Sequence, residues 1–373
     1  MNQIVEISVS DKKRWNNTVK SINNYDAFYL NEYVDAFMRE DESNGVPVLL
    51  YYENGADRAI NVVFKRDVVK DHHFDDKLTP DTYFDLITPY GYGDFIGEIT
   101  DYATLNDVYS KYCMDNGYVC EFVHFELFND YYQRYSGETE TRTHNVVRNL
   151  ESPMDEIWMT SIEFIMARWN AVMQRISFTL KKTFFEKLMS MNNAVMFHVR
   201  FEEKIISTEL VIYRAENCYS HLGGADFEYF YTRANDVLKF EIIKWAKEKG
   251  LKNFALGGGY GADNRIFQYK MNRALHGIKD FYIGRKIFDK VAYQQLLRIR
   301  SKGNTEMEDR LINTGFFPAY RWKGDWKNSI YATPFMDATT SCRRHRIFKV
   351  SKRSEISKTF NMPVISGESR VVA

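Results

Sequence analysis

The stretch Phe254-Ala255-Leu256-Gly257-Gly258-Gly259, together with Asp263-Asn264-Arg265-Ile266-Phe267-Gln268-Tyr269-Lys270 shortly after it, decides the fold. An apolar run that ends in three glycines and continues into a helical pattern predicts a strand, a tight bend and a helix. Glycine is favoured where the backbone takes a positive φ or approaches a ligand closely. A helix start also offers unpaired N–H groups to an anion. The bend is therefore either a phosphate-binding loop, to which Lys270 contributes, or a tight connection that binds no ligand.

The spacing of these glycines excludes two common nucleotide-binding motifs. It does not fit the G-x-G-x-x-G dinucleotide fingerprint, and no G-K-[ST] follows, as a Walker loop would require.

The length and charge of the chain limit the classes of protein to which it can belong. At 373 residues it exceeds the usual size of one hydrophobic core, so two domains are expected. The 50 basic and 50 acidic residues cancel, which gives no sign of a nucleic-acid-binding surface, and no DNA partner is predicted. Aromatic residues make up 16% of the chain, a content that suits both a core and a cleft stacking on an extended substrate.

The charge is uneven near the C-terminus. Residues 334–373 contain eight Lys/Arg and three Asp/Glu, a net charge of +5, and form a predicted basic C-terminal tail. Such a tail is either solvated or in contact with RNA or a membrane surface.

The cysteines and the N-terminal residues indicate a cytoplasmic protein. The four cysteines show no paired framework and no C-x-x-C motif, and Met1–Glu6 has no signal-peptide pattern. The longest apolar runs are far too short to cross a bilayer, so no stable membrane insertion is expected. The eight histidines show no metal-ligand spacing, and no metal site is predicted.

Two regions of the chain follow the same order of predicted elements. The first region has a predicted hairpin of strands at 47–52 and 59–65 and a third strand at 83–87. A glycine-rich bend at 89–93, a helix at 105–114 and a fourth strand at 118–125 follow. The second repeats this plan with strands at 194–201, 205–213 and 218–222, a helix at 234–249 and a strand at 252–256. The helix is predicted to present Val237, Phe240, Ile243 and Trp245 on one face. We therefore predict a duplicated α/β unit.

This unit resembles the GNAT (general N-acetyltransferase) fold, and two such units in one chain resemble the Fem-like aminoacyltransferases that build peptidoglycan cross-bridges. The resemblance rests on the order and spacing of short motifs, namely Thr88-Pro-Tyr-Gly-Tyr-Gly93, Tyr219-Ser-His-Leu-Gly-Gly-Ala-Asp226, Trp245-Ala-Lys-Glu-Lys-Gly250, Leu256-Gly-Gly-Gly259, Phe267-Gln-Tyr-Lys270 and Phe316-Phe-Pro-Ala-Tyr-Arg321. It implies an α/β (α+β) fold of two tandem GNAT-like units, each with a mixed, mainly antiparallel sheet flanked by helices. The first unit is expected at 1–150, completed by 311–330, and the second at 151–310.

The resemblance also implies an enzyme that moves an acyl or aminoacyl group from a carrier to an amine. The donor would be acyl-CoA or aminoacyl-tRNA, with no permanently bound cofactor. The acceptor would be an amino group of a cell-envelope precursor, peptide or sugar, held in a cleft between the units. Lys270 would lie close to the reacting groups or the donor phosphates. The position before it is Phe in the family and Tyr269 here.

The sequence departs from the family in two further respects. The segment between the units, 151–191, looks shortened and offers only Arg168, Arg175, Lys181 and Lys182 for phosphate contacts. The long antiparallel helical arm of some members is also missing. Both differences favour a smaller donor such as acyl-CoA, yet the R/Q-x-x-G-x-G/A pyrophosphate loop of ordinary acetyltransferases is absent too. The two donors therefore rank nearly equal, with a slight lean to acyl-CoA.

Acyl transfer to an amine requires a deprotonated amine, a stabilised carbonyl oxygen and alignment of the two reactants. No G-x-S-x-G elbow and no Ser-His-Asp order appears, so direct attack without an acyl-enzyme is favoured. Lys270 is the candidate for stabilising donor phosphate or the developing oxyanion. Asp94 and Asp226, each just after a glycine bend, are candidates for the general base.

The remaining candidates are residues that line a substrate cleft. They are Tyr90, Tyr92, Gly223, Gly224, Gly257, Gly258, Gly259 and Tyr260. Every candidate also has a structural interpretation: the glycines as turn residues, the tyrosines as packing at the rim, Asp94 and Asp226 as helix caps, and Lys270 as an exposed lysine. The corresponding alternative for the whole chain is a non-catalytic module that binds a glycan or peptide precursor.

Overall fold

The computed structural model describes residues 3–39, 44–74, 76–154, 182–258, 265–274, 276–323 and 357–361. The strands are β1 (Gln3–Ser8), β2 (Val46–Asn54), β3 (Asp57–Asp67), β4 (Phe84–Ile87), β5 (Ile96–Glu98), β6 (Tyr118–His124), β7 (Glu138–Asn149), β8 (Ala194–Phe201), β9 (Lys204–Arg214), β10 (Asn217–Ala225), β11 (Asn253–Gly257), β12 (Ile278–Ile287) and β13 (Ser357–Asn361). The helices are α1 (Lys12–Lys20), α2 (Asn31–Phe37), α3 (Tyr102–Asp115), α4 (Lys182–Met189), α5 (Ala234–Glu248), α6 (Arg265–Met271), α7 (Lys290–Ser301) and α8 (Thr305–Ile312).

The described residues fall into two compact units. The first is drawn from Met1–His144, Arg175–Leu188 and Lys279–Arg343, and the second from Asn145–Gln174, Met189–Ile278 and Arg344–Ala373. The sequence assigned 151–310 to the second unit. The structure differs at 279–310, because β12 pairs with β6 and α7 packs on the sheet of the first unit.

The first unit has the strand order β1-β2-β3-β4-β6-β12. Strands β1 to β4 are antiparallel neighbours, and β5 also pairs with β3. Helix α3 connects β4 to its parallel neighbour β6, and β12 is antiparallel to β6. A parallel pair requires such a crossover connection. Helix α3 ends at Asp115, one residue beyond the predicted end, and is followed by the C-cap Asn116 and by Gly117 with φ +72°.

The second unit has the order β13-β8-β9-β10-β11-β7. Strands β8 to β10 are antiparallel, helix α5 connects β10 to the parallel strand β11, and β7 is antiparallel to β11. This repeats the order of the first unit, so the predicted α/β fold of two similar units is confirmed. One difference lies at the edge, since β13, from the predicted basic tail, runs parallel to β8. The rest of the tail, 334–356 and 362–373, lies outside the described residues.

Each sheet buries a core against its helices. In the second unit, α5 contributes Leu238, Ile242, Trp245 and Ala246 to this core. The predicted face was wrong in part, because Phe240 is only half-buried and Leu238 and Ile242 take the central positions. These two residues are four apart and therefore lie one above the other on a helix.

A buried carboxylate joins three parts of the first unit. Asp85 on β4 is 0% exposed and accepts hydrogen bonds from the Nε atoms of Arg66 on β3 and Arg321, each at 2.5 Å. The Tyr320 hydroxyl donates to the same carboxylate at 3.1 Å. Ala319, Tyr320 and Trp322 are themselves buried against this unit. Asp85 therefore fixes the returning segment 319–322 on the sheet.

Asp85→Asn tests this role. It leaves the buried Arg66 guanidinium without its counter-charge and leaves Arg321 with only the more distant Asp71 carboxylate, so we expect the free energy of unfolding to fall by about 3–5 kcal/mol. Urea unfolding followed by circular dichroism measures the change. The control is Asp115→Asn, which breaks an exposed i,i+4 pair with Lys111 and should leave the unfolding midpoint almost unchanged. Equal midpoints for the two variants would show that the Asp85 contacts do not stabilise the unit.

Candidate functional site

The candidate site lies in the second unit, where two parallel strands part. The β10–β11 ladder pairs Asn217–Tyr219 with Asn253–Ala255 and ends there. Strand β10 then shifts register between Ser220 and Leu222 and continues along β9, whereas β11 continues along β7 as far as Gly257. An opening between the two strands therefore begins beyond Tyr219 and Ala255.

The glycine bend brings Lys270 to the end of β11. Gly257 has φ +79°, and a Cβ at this position would lie 3.2 Å from the Lys270 Nζ. Lys270, on α6, donates a hydrogen bond from Nζ to the Gly258 carbonyl oxygen at 2.6 Å. Gly257 and Gly258 thus allow close approach of the lysine to the backbone. Gly259 and Tyr260 lie outside the described residues.

A buried ion pair lies beside this lysine. Lys239 on α5 donates to Glu209 on β9 at 2.5 Å and to the Ser220 hydroxyl on β10 at 2.7 Å. Within the described part of the chain, Lys270 itself has no carboxylate partner. Burial, together with repulsion from Lys239 and only partial compensation by Glu209, lowers the pKa of Lys270 to about 8. Perturbation of this kind is common in functional sites.

A second charged group lies at the start of α5. The Asp236 carboxylate accepts from the Nε of Arg233 at 2.8 Å and also from Arg273. Burial and the neighbouring Arg233 lower the pKa of Arg273 to about 9. Arg148 on β7 donates to the Arg273 carbonyl oxygen at 2.8 Å. The second unit thus concentrates cationic side chains around the end of β11 and the start of α5.

The equivalent strand pair of the first unit is closed. The Thr88 N–H donates to the Phe122 carbonyl at 3.2 Å, and the Gly93 N–H donates to the His124 carbonyl at 2.8 Å. The His124 N–H donates to the Thr88 hydroxyl at 3.0 Å. The glycine-rich loop 89–93 therefore follows β6 instead of leaving an opening. This contrast favours the second unit as the position of the site.

Asp94 has contacts that favour a structural role over that of a general base. It is 1% exposed, and its carboxylate accepts from the Glu126 N–H at 3.0 Å and from the Asn129 side chain at 2.8 Å. Burial raises the pKa of Asp94 to about 7, although these hydrogen bonds act to lower it. Because both carboxylate oxygens are engaged by the 126–129 loop, Asp94 holds that loop against the bend.

Tyr90 and Tyr92 belong to an aromatic cluster of the first unit. Tyr90 stacks on Phe37 with ring centroids 5.2 Å apart, and Tyr92 packs edge-on against Phe28 at 5.5 Å and Phe281 at 5.6 Å. Burial raises the pKa of the Tyr92 hydroxyl. These packing contacts account for both rings, and the structure groups them with Asp94 and not with Lys270.

Gly223, Gly224 and Asp226 lie at the far end of β10. Gly223 and Gly224 are exposed and pair with β9. Asp226 accepts from the Glu228 N–H at 3.1 Å, which caps a short 3-10 helix, and its carboxylate lies 2.9 Å from the Lys204 Nζ. Hydrogen bonding from Lys204 lowers the pKa of Asp226. A more acidic carboxylate is a poorer base near neutral pH, so these contacts favour a capping role.

The charged residues of the site other than Lys270 were not identified from the sequence; they are Arg148, Glu209, Arg233, Asp236, Lys239 and Arg273. The sequence does contain one signal for Glu209, because this charged residue lies inside the predicted strand 205–213, and the structure shows that it is buried. A charge in such a position is normally paired or functional.

The described residues contain one group with the geometry of a metal site, formed by Asp71, His72 and His73 in the first unit. The Asp71 carboxylate is already engaged by the His73 ring at 2.7 Å and by Arg321 at 3.5 Å. A guanidinium at this distance opposes a bound cation. No helix in the described ranges has the length and hydropathy needed to span a membrane.

Comparison with known proteins supports the GNAT fold. Residues 134–271 match the family model described as acetyltransferase (GNAT) domain, a range that contains Lys270. Among solved structures, FemX aligns with a TM-score of 0.51 at 11% identity, over 79% of this chain and 99% of that chain. L-PGS from Bacillus licheniformis aligns with a TM-score of 0.44 at 10% identity, over 79% and 97% of the two chains. No curated protein matches the sequence.

These findings confirm the predicted fold class. Residues 134–271, most of which lie in the second unit, match the acetyltransferase (GNAT) domain model, and the chain is similar in fold to FemX. The resemblance to Fem-like proteins therefore holds at the level of the fold.

The depressed pKa of Lys270 can be measured without knowing a substrate. After reductive ¹³C-methylation, we expect the NMR resonance of Lys270 to titrate near pH 8, since burial and Lys239 disfavour the ammonium form. The resonance is assigned by its absence from Lys270→Met. Exposed lysines in the same sample should titrate near their usual value of about 10.4. If the assigned resonance titrates with them, Lys270 is solvated and the proposed site geometry is wrong.

Proposed function

We propose that this protein is an N-acyltransferase that moves an acyl or aminoacyl group from an activated carrier to an amino group. The observation that carries the proposal is the position of Lys270. The lysine is held at the glycine end of β11, in the opening where β10 and β11 part, within the range that matches the acetyltransferase model.

The proposed reaction proceeds by direct attack. The amine nitrogen attacks the carbonyl carbon of the donor, the new C–N bond forms, and the C–S or C–O bond to the carrier breaks. One proton leaves the amine, and the carrier departs as thiol or alcohol. The Lys270 ammonium stabilises the negative charge that develops on the carbonyl oxygen or on the donor phosphate. Charge placed in advance of the reaction is often the largest contribution to catalysis.

The cysteines of the described ranges support a mechanism without an acyl-enzyme. Cys113, Cys120 and Cys218 are all buried. Burial raises the pKa of the Cys218 thiol, the one in the second unit, so it stays protonated near neutral pH. Since the thiolate is the nucleophilic form, Cys218 is a core residue and not an acyl carrier.

Two carriers fit the proposal, an acyl-CoA and an aminoacyl-tRNA. Both present phosphate groups, and both suit the cationic side chains around the start of α5. That helix start does not have the form of an ordinary pyrophosphate site, because the Asp236 carboxylate already occupies its first turn, paired with Arg233 and Arg273. A CoA pyrophosphate would have to displace this carboxylate from its arginines. The same holds for a tRNA phosphate at these arginines, so the charged residues do not distinguish the two donors, and both donors must be tested.

The proposed acceptor is the amine of a cell-envelope precursor, peptide or sugar, used in the cytoplasm. This part of the proposal rests on the resemblance to Fem-like proteins and on the fold shared with FemX.

A donor screen tests the proposed activity. The protein is incubated with radiolabelled acyl-CoAs or aminoacyl-tRNAs and with amine acceptors, among them peptidoglycan precursor peptides, and products are identified by mass spectrometry. An enzyme consumes one donor class and labels an amine. Binding of a glycan or peptide without consumption of any donor would instead identify a non-catalytic module and overturn the proposal.

Lys270→Met separates the catalytic from the structural role of this residue. The variant keeps the apolar stem and costs little helix propensity, so folding should be nearly unchanged. We expect turnover with the donor found in the screen to fall by roughly 10² or more, as when one oxyanion-stabilising donor is lost.

The matched control is Lys244→Met, which removes an exposed lysine from α5 and should keep wild-type turnover. Thermal midpoints are measured for both variants. Turnover of Lys270→Met equal to that of the control would exclude Lys270 from the reaction.

A further inference from the structure

Tyr269 differs from the residue that the Fem-like resemblance leads us to expect. The family has Phe before its lysine, whereas this chain has Tyr269 before Lys270. The added hydroxyl is buried and has no hydrogen-bond partner in the described chain. A buried hydroxyl without a partner is unfavourable and uncommon in native proteins. The ring alone is enough for core packing. We therefore expect the hydroxyl to donate its hydrogen bond to an atom of a ligand.

The ring of Tyr269 is held firmly in place. The Arg273 guanidinium lies 3.5 Å from the ring centroid, and its Nη1 donates to the Tyr269 carbonyl oxygen at 2.7 Å. Burial and the nearby Glu209 carboxylate raise the pKa of Tyr269, whereas Arg233 lowers it by a smaller amount. The hydroxyl is therefore protonated near neutral pH and acts as a hydrogen-bond donor with a fixed position.

The charges around this hydroxyl indicate what it would bind. Arg233 and Glu209 interact with the hydroxyl itself, Lys239 interacts with Lys270, and Arg233 interacts with Arg273. The carboxylates paired with these cationic residues are Glu209 and Asp236. Among these six groups the positive charges exceed the negative by two. Cationic groups in a buried site are costly unless compensated, so an anion would be stabilised there.

We propose that the Tyr269 hydroxyl donates a hydrogen bond to a phosphate oxygen of the bound acyl donor, in the cationic site formed by Arg233, Arg273 and Lys270. Phosphate offers the acceptor oxygens and the negative charge that this site lacks. The phosphate comes either from the pyrophosphate of a CoA thioester or from the acceptor end of a tRNA. The assignment rests on the acyl-transfer function proposed above and names a residue that determines donor affinity.

The test is Tyr269→Phe, which removes one oxygen atom and keeps the ring. Binding of inorganic pyrophosphate, CoA and uncharged tRNA is measured by calorimetry for the wild type and the variant. We expect the Kd of the phosphate ligand that binds to rise by about 10- to 100-fold, as for loss of a hydrogen bond to a charged group. The thermal midpoint should stay equal or rise, because an unpaired buried hydroxyl is removed.

The matched control is Tyr213→Phe in the same unit, whose hydroxyl donates to the Asn192 carbonyl at 3.2 Å. It should leave phosphate binding unchanged. A rise in Kd for CoA alone, or for tRNA alone, identifies the source of the phosphate. With the donor found in the screen, Tyr269→Phe should raise KM more than it lowers kcat.

Two results would overturn the proposal. One is unchanged binding in Tyr269→Phe, and the other is a wild-type protein that binds none of the three phosphate ligands. Neither result depends on acyl transfer, since binding is measured without turnover. Turnover in the donor screen with unchanged kinetics in Tyr269→Phe would reject the role of the hydroxyl and keep the acyltransferase. Phosphate binding that weakens in the variant, in a protein without turnover, would reject the acyltransferase and keep the site.

Discussion

Each unit depends on one parallel strand pair connected by a helix, and the two units differ in how that pair ends. In the first, the Thr88 and Gly93 N–H groups hold the glycine-rich loop along β6. In the second, the register shift after Ser220 and the positive φ of Gly257 direct β10 and β11 to different neighbours. One backbone plan thus gives a sealed sheet in one copy and an opening in the other. Function can be placed in a single unit because local turn chemistry, and not the fold, decides whether the strands separate.

Buried charge distinguishes the two units in the same way. Around Asp85 both carboxylate oxygens are engaged within the protein, by Arg66, Arg321 and the Tyr320 hydroxyl. Buried pairing of this kind fixes one packing arrangement. Around Lys270 the cationic residues outnumber the paired carboxylates, and the Tyr269 hydroxyl has no partner in the described ranges. Perturbed charged groups of this kind cluster at functional sites. The Asp85 network holds the first unit together, and the Lys270 site is where we propose that the acyl donor binds.

Much of the fold could be predicted because its signals are local. Hairpin turns, and glycines that end helices such as Gly117 and Gly250, mark elements without reference to the rest of the chain. Strand β7 was missed since its first half, Glu138–Thr143, is almost wholly polar and shows no apolar alternation. In the site, the bend and Lys270 are close in sequence and could be predicted together. The partner of Lys239, Glu209, is 30 residues away, and the contacts of Asp94 with Glu126 and Asn129 are equally distant. No local pattern shows which carboxylate is enclosed by a loop.

The order of the strands has a consequence for how the chain assembles during synthesis. The sixth strand of the first sheet, β12, is encoded after the whole of β8–β11, although its partner β6 ends at His124. An emerging N-terminal half therefore has β6 as an open edge until residue 287 has left the ribosome. Open edges recruit other strands, so this interval is when the nascent chain is most exposed to mispairing. The interlaced order also means that neither half of the chain contains all the strands of one sheet.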